Sequence, residues 1–328
     1  MSTLKDQYHR TINYLRISVT DRCNLRCQYC MPEEGIPLIA HEDILRYEEI
    51  LRLVRVYAKA GISKIRLTGG EPLVRKEIVG FVSRIAKTPG IKDLSITTNG
   101  VLLREFAQSL KNAGLKRINI SLDTLNPEKF KLIARRDKFH KVWSGIEEAL
   151  KVGLSPVKLN VVTINGTNHD EVRDFARLTQ QLPLSVRFIE YMPAGENQWD
   201  SKLVFTAPKI KESIEELGEL IPVHAEENMG PAICYRFQNS PGEIGFINPI
   251  SSHFCESCNR IRLTPDGHLR TCLFSDDEID LKPFLRRECS DEKLLEILNK
   301  ALAQKPKQHL IKTIQFKKCQ RTMSAIGG

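Results

Sequence analysis

Between Leu15 and Pro193, short runs that alternate apolar and polar residues take turns with longer stretches whose apolar positions fall three and four apart. Alternation with period two puts successive side chains on opposite faces of a strand, whereas spacings of three and four line one face of a helix. The pattern predicts six strands: LRISVT (15–20), KIRLTG (64–69), DLSITTN (93–99), RINISLD (117–123), VKLNVVTI (157–164) and SVRFIEYM (185–192). The segments between them read as helices. Ile44, Tyr47, Leu51, Val54 and Ala58 share a face in the first, and others are predicted over 101–113, 141–152 and 170–182. Strand and helix in alternation is the signature of a parallel sheet built from βα units.

Strands covered by helices on both sides read as unbroken apolar runs, and these do not. Leu15, Ile17, Val19, Ile65, Leu67, Ile118, Ile120, Leu122, Val157 and Leu159 fall on one face. The other carries Arg16, Ser18, Thr20, Arg66, Thr68, Ser95, Thr97, Asn119, Ser121, Asp123, Lys158 and Asn160. Burying so many polar groups without partners would be prohibitive, so this face must line a solvated chamber that takes a ligand. A closed eight-stranded barrel fills its lumen with side chains, so the expected fold is α/β, an incomplete (β/α)6 TIM-type barrel over residues 1–193. After Pro193 the rhythm breaks. A helix at 206–217, hairpins and loops over 230–274 and a helix at 291–304 read as a smaller C-terminal α+β domain, 194–328, forming a separate lid or cap.

Hydrophobic residues at 41% and charged residues at 27% are ordinary for a globular chain, and no window approaches the eighteen apolar residues of a membrane span. The opening MSTLKDQYHR lacks the apolar core of a signal peptide, so the expected location is cytoplasmic. A formal charge of +9 could serve a polyanionic partner, but Lys and Arg never run beyond two together. Scattered basic side chains, some recruited to a phosphate site, fit better than a nucleic-acid tail.

Nine cysteines change the picture, because in a reducing compartment clustered thiols point to metal or redox chemistry. Cys234, Cys289 and Cys319 stand alone and read as free thiols. Cys23, Cys27 and Cys30 form CxxxCxxC directly after the first strand, which suits three corners of a four-iron cluster. A closed zinc site would need a fourth ligand, and none is near in sequence. The motif, with an aromatic residue before its last cysteine, resembles that of the radical S-adenosylmethionine superfamily. The resemblance implies a [4Fe-4S] cluster whose open iron holds S-adenosylmethionine, the source of a 5′-deoxyadenosyl radical, so that the cofactor supplies the hard chemistry. Thr68-Gly-Gly-Glu-Pro72 is similar to the superfamily's GGEP motif. By the same resemblance Tyr29, Gly70, Ser121 and Met192 contact S-adenosylmethionine.

Cys255, Cys258 and Cys272 repeat the arithmetic of three thiolates without a fourth, and here zinc, completed by His253, His268 or Cys289, stays a competitor. The stretch GFINPISSHFCESCNRIRLTPDGHLRTCL, with Gly327-Gly328 at the end, resembles the GTP 3′,8-cyclase family of molybdenum cofactor biosynthesis. The resemblance spans almost the whole chain. It implies a second [4Fe-4S] cluster that holds guanine, and closure of the GTP ribose on C8 to give 3′,8-cyclo-7,8-dihydro-GTP. No GxxxxGK[ST] or GxGxxG loop is present, so the triphosphate would need dispersed cations. Arg16, Arg66 and Lys158 on the lumen face, with Arg260 and Arg262 beside the second cysteine group, are the candidates. Resemblance adds Thr97 and the backbone at Ile261 to the GTP site, and threads Gly327 and Gly328 into it. It also implies a low-potential electron donor of flavodoxin or ferredoxin type and a downstream cyclic pyranopterin monophosphate synthase, allows a homodimer, and calls for neither nucleic acid nor membrane. Two rivals stay open: a peptide-modifying enzyme of the same superfamily, and a zinc protein that binds nucleic acid without catalysis.

Overall fold

The computed structural model describes residues 3–194, 199–223, 230–287, 289–311 and 318–327. The first half runs β1 (Tyr14–Ser18), α1 (Tyr47–Lys59), β2 (Lys64–Thr68), α2 (Ile78–Ala86), β3 (Asp93–Thr98), α3 (Leu103–Asn112), β4 (Arg117–Ser121), α4 (Pro127–Ala134), α5 (Phe139–Lys151), β5 (Val157–Thr163), α6 (Val172–Gln181) and β6 (Leu184–Glu190). The second runs α7 (Ala207–Glu215), β7 (Leu220–Pro222), β8 (Ile233–Phe237), β9 (Glu243–Ile247), β10 (Arg260–Leu263), β11 (His268–Arg270), β12 (Glu278–Asp280), α8 (Lys282–Arg286), α9 (Asp291–Ala303) and α10 (Met323–Ile326). The six expected strands are all present, with ends that differ by one or two residues. Local signals start the helices where they start: Asn126 caps α4 by accepting from the amides of Glu128 and Lys129, with Pro127 next, and Ser290 caps α9 through the amide of Lys293.

Among the described residues twelve strands form one sheet in the order β12-β11-β10-β1-β2-β3-β4-β5-β6-β9-β8-β7. The C-terminal strands therefore do not form a separate lid. β10 pairs in parallel with β1 and β9 in parallel with β6, so the later part of the chain continues the sheet at both rims. The parallel run thereby reaches eight strands, the number of a closed barrel. Among the described residues β9 and β10 do not pair with each other; each pairs antiparallel with a hairpin partner, β8 and β11, and the barrel stays open. Rhythm breaks in the sequence at these flanks because antiparallel returns need only tight loops where parallel crossovers need a helix.

The alternation sorts the side chains as expected. Leu15, Ile17, Ile65, Leu67, Ile118, Ile120, Val157 and Leu159 are wholly buried in the core between the sheet and the helices. Of their polar neighbours, Arg16, Arg66, Thr68, Thr97, Ser121, Lys158 and Asn160 line one large cavity on the other side.

Candidate functional site

The cavity has a volume of about 930 Å³ and is lined by both cysteine groups. Topology puts them at opposite ends. Cys23, Cys27 and Cys30 follow β1 and stand at the carboxyl ends of the parallel strands. Cys255 and Cys258 precede β10, which runs parallel to β1, and Cys272 follows the antiparallel β11, so this group stands at the amino ends. The strands between them rise about 3.3 Å per residue, so the five residues of β1 separate the two ends by roughly 16 Å.

The first cysteine loop is pinned from several sides. Gly70 N–H donates to Thr20 O and Glu71 N–H to Arg22 O, which presses the Gly69-Gly70 turn against the chain entering the loop. A Cβ on Gly70 would stand 2.4 Å from the Arg22 carbonyl oxygen, so only glycine fits. Glu71 is fully buried and accepts from Leu73 N–H, the Thr98 hydroxyl and Asn99 N–H. Burial pushes its carboxyl up to about 7. Asn99 in turn directs its Nδ2 toward Cys23 Sγ at 3.7 Å, and Leu25 N–H donates to the same sulfur at 3.4 Å. Burial, then the neighbouring thiols and Asp123, raise Cys27 well above the ordinary thiol range, and Cys30 rises likewise. Without a metal these thiols hold their protons; ligation would displace them.

The second group has the opposite electrostatics. Burial raises Cys258, but Arg260 and Lys305 more than offset it and bring the thiol down to about 6. Cys255 is raised by burial. Among the described residues, no three His, Cys, Asp or Glu side chains are arranged to hold a single metal ion. A multi-iron cluster takes each thiolate at a separate corner, so it does not need that convergence. Of the three residues expected to complete a zinc site, His253 lines the cavity, whereas His268 is engaged by Asp266 and Arg321, and Cys289 Sγ donates to Ser290 O.

Between the two ends lies a field of cations. Register puts Arg262, Arg16 and Arg66 side by side on β10, β1 and β2. Ser95 and Arg117 continue the same row onto β3 and β4. Lys158 and Arg187 project from β5 and β6 into the same space. Asp93 holds Arg117 through two hydrogen bonds of 2.8 and 2.6 Å and pairs with Lys64 at 3.2 Å. Lys158 and Arg187 have less to answer their charge. Burial, then Arg187, Arg117, Arg66 and Lys64, push the Lys158 ammonium down to about 6. Arg187 is 4% exposed, and its Nε and Nη2 find no hydrogen-bond partner among the described residues. An orphaned buried guanidinium is costly unless an anion completes it, so the chamber is chemically shaped for a highly charged anion.

Tyr29, Gly70, Ser121 and Met192 all line the cavity at the carboxyl ends of the strands, and Thr97, Arg16, Arg66, Lys158, Arg260 and Arg262 line it as well. The side chain of Ile261 is wholly buried in the core, which leaves its backbone, the part expected at the GTP site, as what a ligand could meet. Gly327 is seated with its carbonyl accepting from Arg262 Nη1 at 2.8 Å, while Gly328 lies outside the described residues. Sequence reasoning missed Lys64, Arg117, Arg187, Asp93 and Asn99. Lys64, Arg117 and Asp93 are in phase with recognised lumen positions on their own strands, so there the alternation already held the signal, whereas Arg187 lies on β6, a strand on which no lumen position had been assigned.

A family model for the radical SAM superfamily matches residues 17–179, and one for Molybdenum Cofactor Synthesis C matches residues 184–311. The GTP 3′,8-cyclase of Alkaliphilus metalliredigens is 50% identical over 326 residues, covering 99% of this chain and 100% of the relative. That of Thermodesulfovibrio yellowstonii is 50% identical over 327 residues, with the same coverage. The crystal structure of Streptococcus suis SuiB bound to precursor peptide SuiA shares the fold, with a TM-score of 0.63 at 13% identity over 98% of this chain and 78% of that one.

Proposed function

Because the chain belongs to the GTP 3′,8-cyclase family of the radical S-adenosylmethionine superfamily, we propose that it cyclises GTP to 3′,8-cyclo-7,8-dihydro-GTP, the first step of molybdenum cofactor synthesis. The observation that carries this reading is a single chamber with a cysteine triplet at each end and buried cations between. When bound, the first cluster and S-adenosylmethionine would supply the 5′-deoxyadenosyl radical that abstracts hydrogen from C3′ of GTP; closure of C3′ on guanine C8 then requires one electron from the low-potential donor and one proton to give the dihydro product.

The residues of the chain bind, orient and exclude water. Cys23, Cys27 and Cys30 would hold the first [4Fe-4S] cluster, and Cys255, Cys258 and Cys272 a second, each triplet leaving one iron without a protein ligand. Tyr29, Gly70, Ser121 and Met192 face the first triplet and would seat S-adenosylmethionine. Arg16, Arg66, Lys158, Arg187, Arg260 and Arg262, with Thr97, would take the triphosphate and ribose, whose negative charge offsets the cost of keeping those cations buried. Gly327 reaches the same chamber where its lack of a side chain matters: a Cβ there would stand 2.3 Å from Thr68 Oγ1. The family matches, which change over between residues 179 and 184, support a functional division near residue 193. A low-potential flavodoxin or ferredoxin and a cyclic pyranopterin monophosphate synthase would act before and after this enzyme in the cytosol. No helix among the described residues is long and apolar enough to cross a membrane.

The test is anaerobic incubation of reconstituted protein with S-adenosylmethionine, dithionite and GTP. The expected result is 5′-deoxyadenosine formation that requires GTP, a cyclised nucleotide of unchanged mass formula, and about eight iron atoms per chain, four for each cluster. Iron near four per chain rejects the second cluster, and 5′-deoxyadenosine formed equally without GTP rejects the cyclase.

A further inference from the structure

Lys305 follows α9 and is 2% exposed, yet its side chain ends in the wall beneath the second cysteine group. An ammonium has three N–H donors and no acceptor. Here the acceptors number three as well: Arg260 O at 2.9 Å, Thr271 O, and Cys258 Sγ at 3.7 Å. The two carbonyls flank the cysteines, since Arg260 lies two residues after Cys258 and Thr271 immediately before Cys272. One ammonium therefore ties together the two segments that bring these thiols into the cavity. Among the described residues no carboxylate forms an ion pair with Lys305, which leaves a thiolate as the anion that its buried charge faces.

A second cation completes the arrangement from the amino-terminal side. Arg10, held by Asp6 at 2.5 Å, donates from Nη1 to Cys255 O at 2.8 Å and to Lys307 O at 2.9 Å, and from Nη2 to Pro306 O at 2.7 Å. It thus clamps the stretch just after Lys305 onto the third cysteine. Gln7 Nε2 donates to Lys305 O at 3.0 Å from the same turn. In the first cysteine group Arg26 Nη1 donates to Cys23 O at 2.8 Å and to Leu25 O at 2.9 Å, but the donors to Cys23 Sγ among the described residues are the neutral amides of Leu25 and Asn99.

We propose that Lys305 is a positioning residue for the second cluster, joining the Cys258 and Cys272 segments and serving as a fixed counter-charge that raises that cluster's reduction potential. A cation fixed beside a cluster favours the state with one more electron, and hydrogen bonds to ligand sulfur act in the same direction. The inference rests on the two-cluster reading, and its test separates the two. Full-length wild type, Lys305→Met and Lys305→Arg are reconstituted anaerobically, analysed for iron and sulfide, and titrated with dithionite while each cluster is followed by electron paramagnetic resonance. The expected result is that Lys305→Met keeps both clusters and the second one's midpoint moves to more negative potential, with the first unmoved and Lys305→Arg close to wild type. If Lys305→Met loses the second cluster, its recovery in Lys305→Arg equally supports the counter-charge. An unchanged midpoint in Lys305→Met, or loss of the second cluster from both variants, overturns the proposal. Wild type with a single cluster overturns the two-cluster reading itself, and that outcome is read before any variant is compared.

Discussion

The phenol of Tyr29, inside the first cysteine loop, donates a 2.5 Å hydrogen bond to Asp123 Oδ2 at the far end of β4, and Asp123 Oδ1 accepts from Val162 N–H on β5. One carboxylate thus ties the loop after β1 to two strands on the other side of the chamber. A hydrogen bond to a charged group is worth about 1.5–3 kcal/mol, so Tyr29→Phe should weaken S-adenosylmethionine binding roughly ten- to hundred-fold. Anaerobic calorimetry checks this, and unchanged affinity would show that the tether does not shape the cofactor seat.

Burial raises the Asp123 carboxyl to about 6. A carboxyl whose folded value lies above its unfolded value, about 3.9, binds more protons in the folded state, so its contribution is present at low pH and is lost as pH rises through about 6. Asp123→Asn carries no such charge. Its melting temperature relative to wild type should therefore climb between about pH 4 and pH 7, and a flat difference across that range counts against the assignment.

Arg187 gives a trade between stability and binding. The Nε and Nη2 of its guanidinium, without partners among the described residues, cost the free protein stability, while an anion in the chamber would reward them. Arg187→Met should melt a few degrees higher without ligand and bind GTP roughly ten- to hundred-fold more weakly, about 1.5–3 kcal/mol. A variant that melts lower and binds normally would mark Arg187 as structural.

Lys158 makes GTP binding pH-dependent in a stated direction. With its ammonium at about 6 in the free protein, it is mostly neutral at pH 8, where the triphosphate is fully ionised. Bound polyanion raises that value, so binding takes up a proton and weakens as pH increases above 7.5. Calorimetry in buffers of different ionisation enthalpy should detect this uptake in wild type and not in Lys158→Met.

The C-terminal segment is held at its root by charge. Arg321 bonds to Asp266 at 3.0 Å and to Glu278 at 2.7 Å, and His268 lies between the same two carboxylates. Despite burial, hydrogen bonds from His268 and Thr264 and the charge of Arg321 hold Asp266 well below the usual range; against its burial, Arg321 lowers Glu278; Asp266 raises His268. The carboxylate contributions are lost as pH falls below about 4, and that of His268 is lost as pH rises above about 6.5, so the clasp is tightest between those limits. Arg321→Gln should speed hydrogen exchange over residues 318–327 and lower turnover alongside Gly327→Ala, whose Cβ would collide with Thr68 and Ser18. Unaltered exchange in Arg321→Gln would dismiss the clasp.

Much of the fold was legible because strand alternation has only two phases. Once Arg66 and Ser95 were placed inward, Lys64 and Asp93 had to follow, as did Arg117 beside Asn119. The rim strands were not legible: the pairing of β9 with β6 and of β10 with β1 is a long-range choice that no local pattern encodes. Lys305 was invisible for a related reason. It lies just beyond a helix and looks like any exposed end-of-helix lysine until the fold closes over it.

The pairing of Tyr14 with Arg260 has a cost in time. During synthesis at about 5–20 residues per second, β1 leaves the ribosome roughly ten to fifty seconds before β10 exists to cover its edge. Throughout that interval a strand made of Tyr14, Leu15, Arg16, Ile17 and Ser18 offers unsatisfied backbone groups to any neighbouring nascent chain. Newly made protein should therefore depend on chaperone holding far more than the finished molecule's stability would suggest.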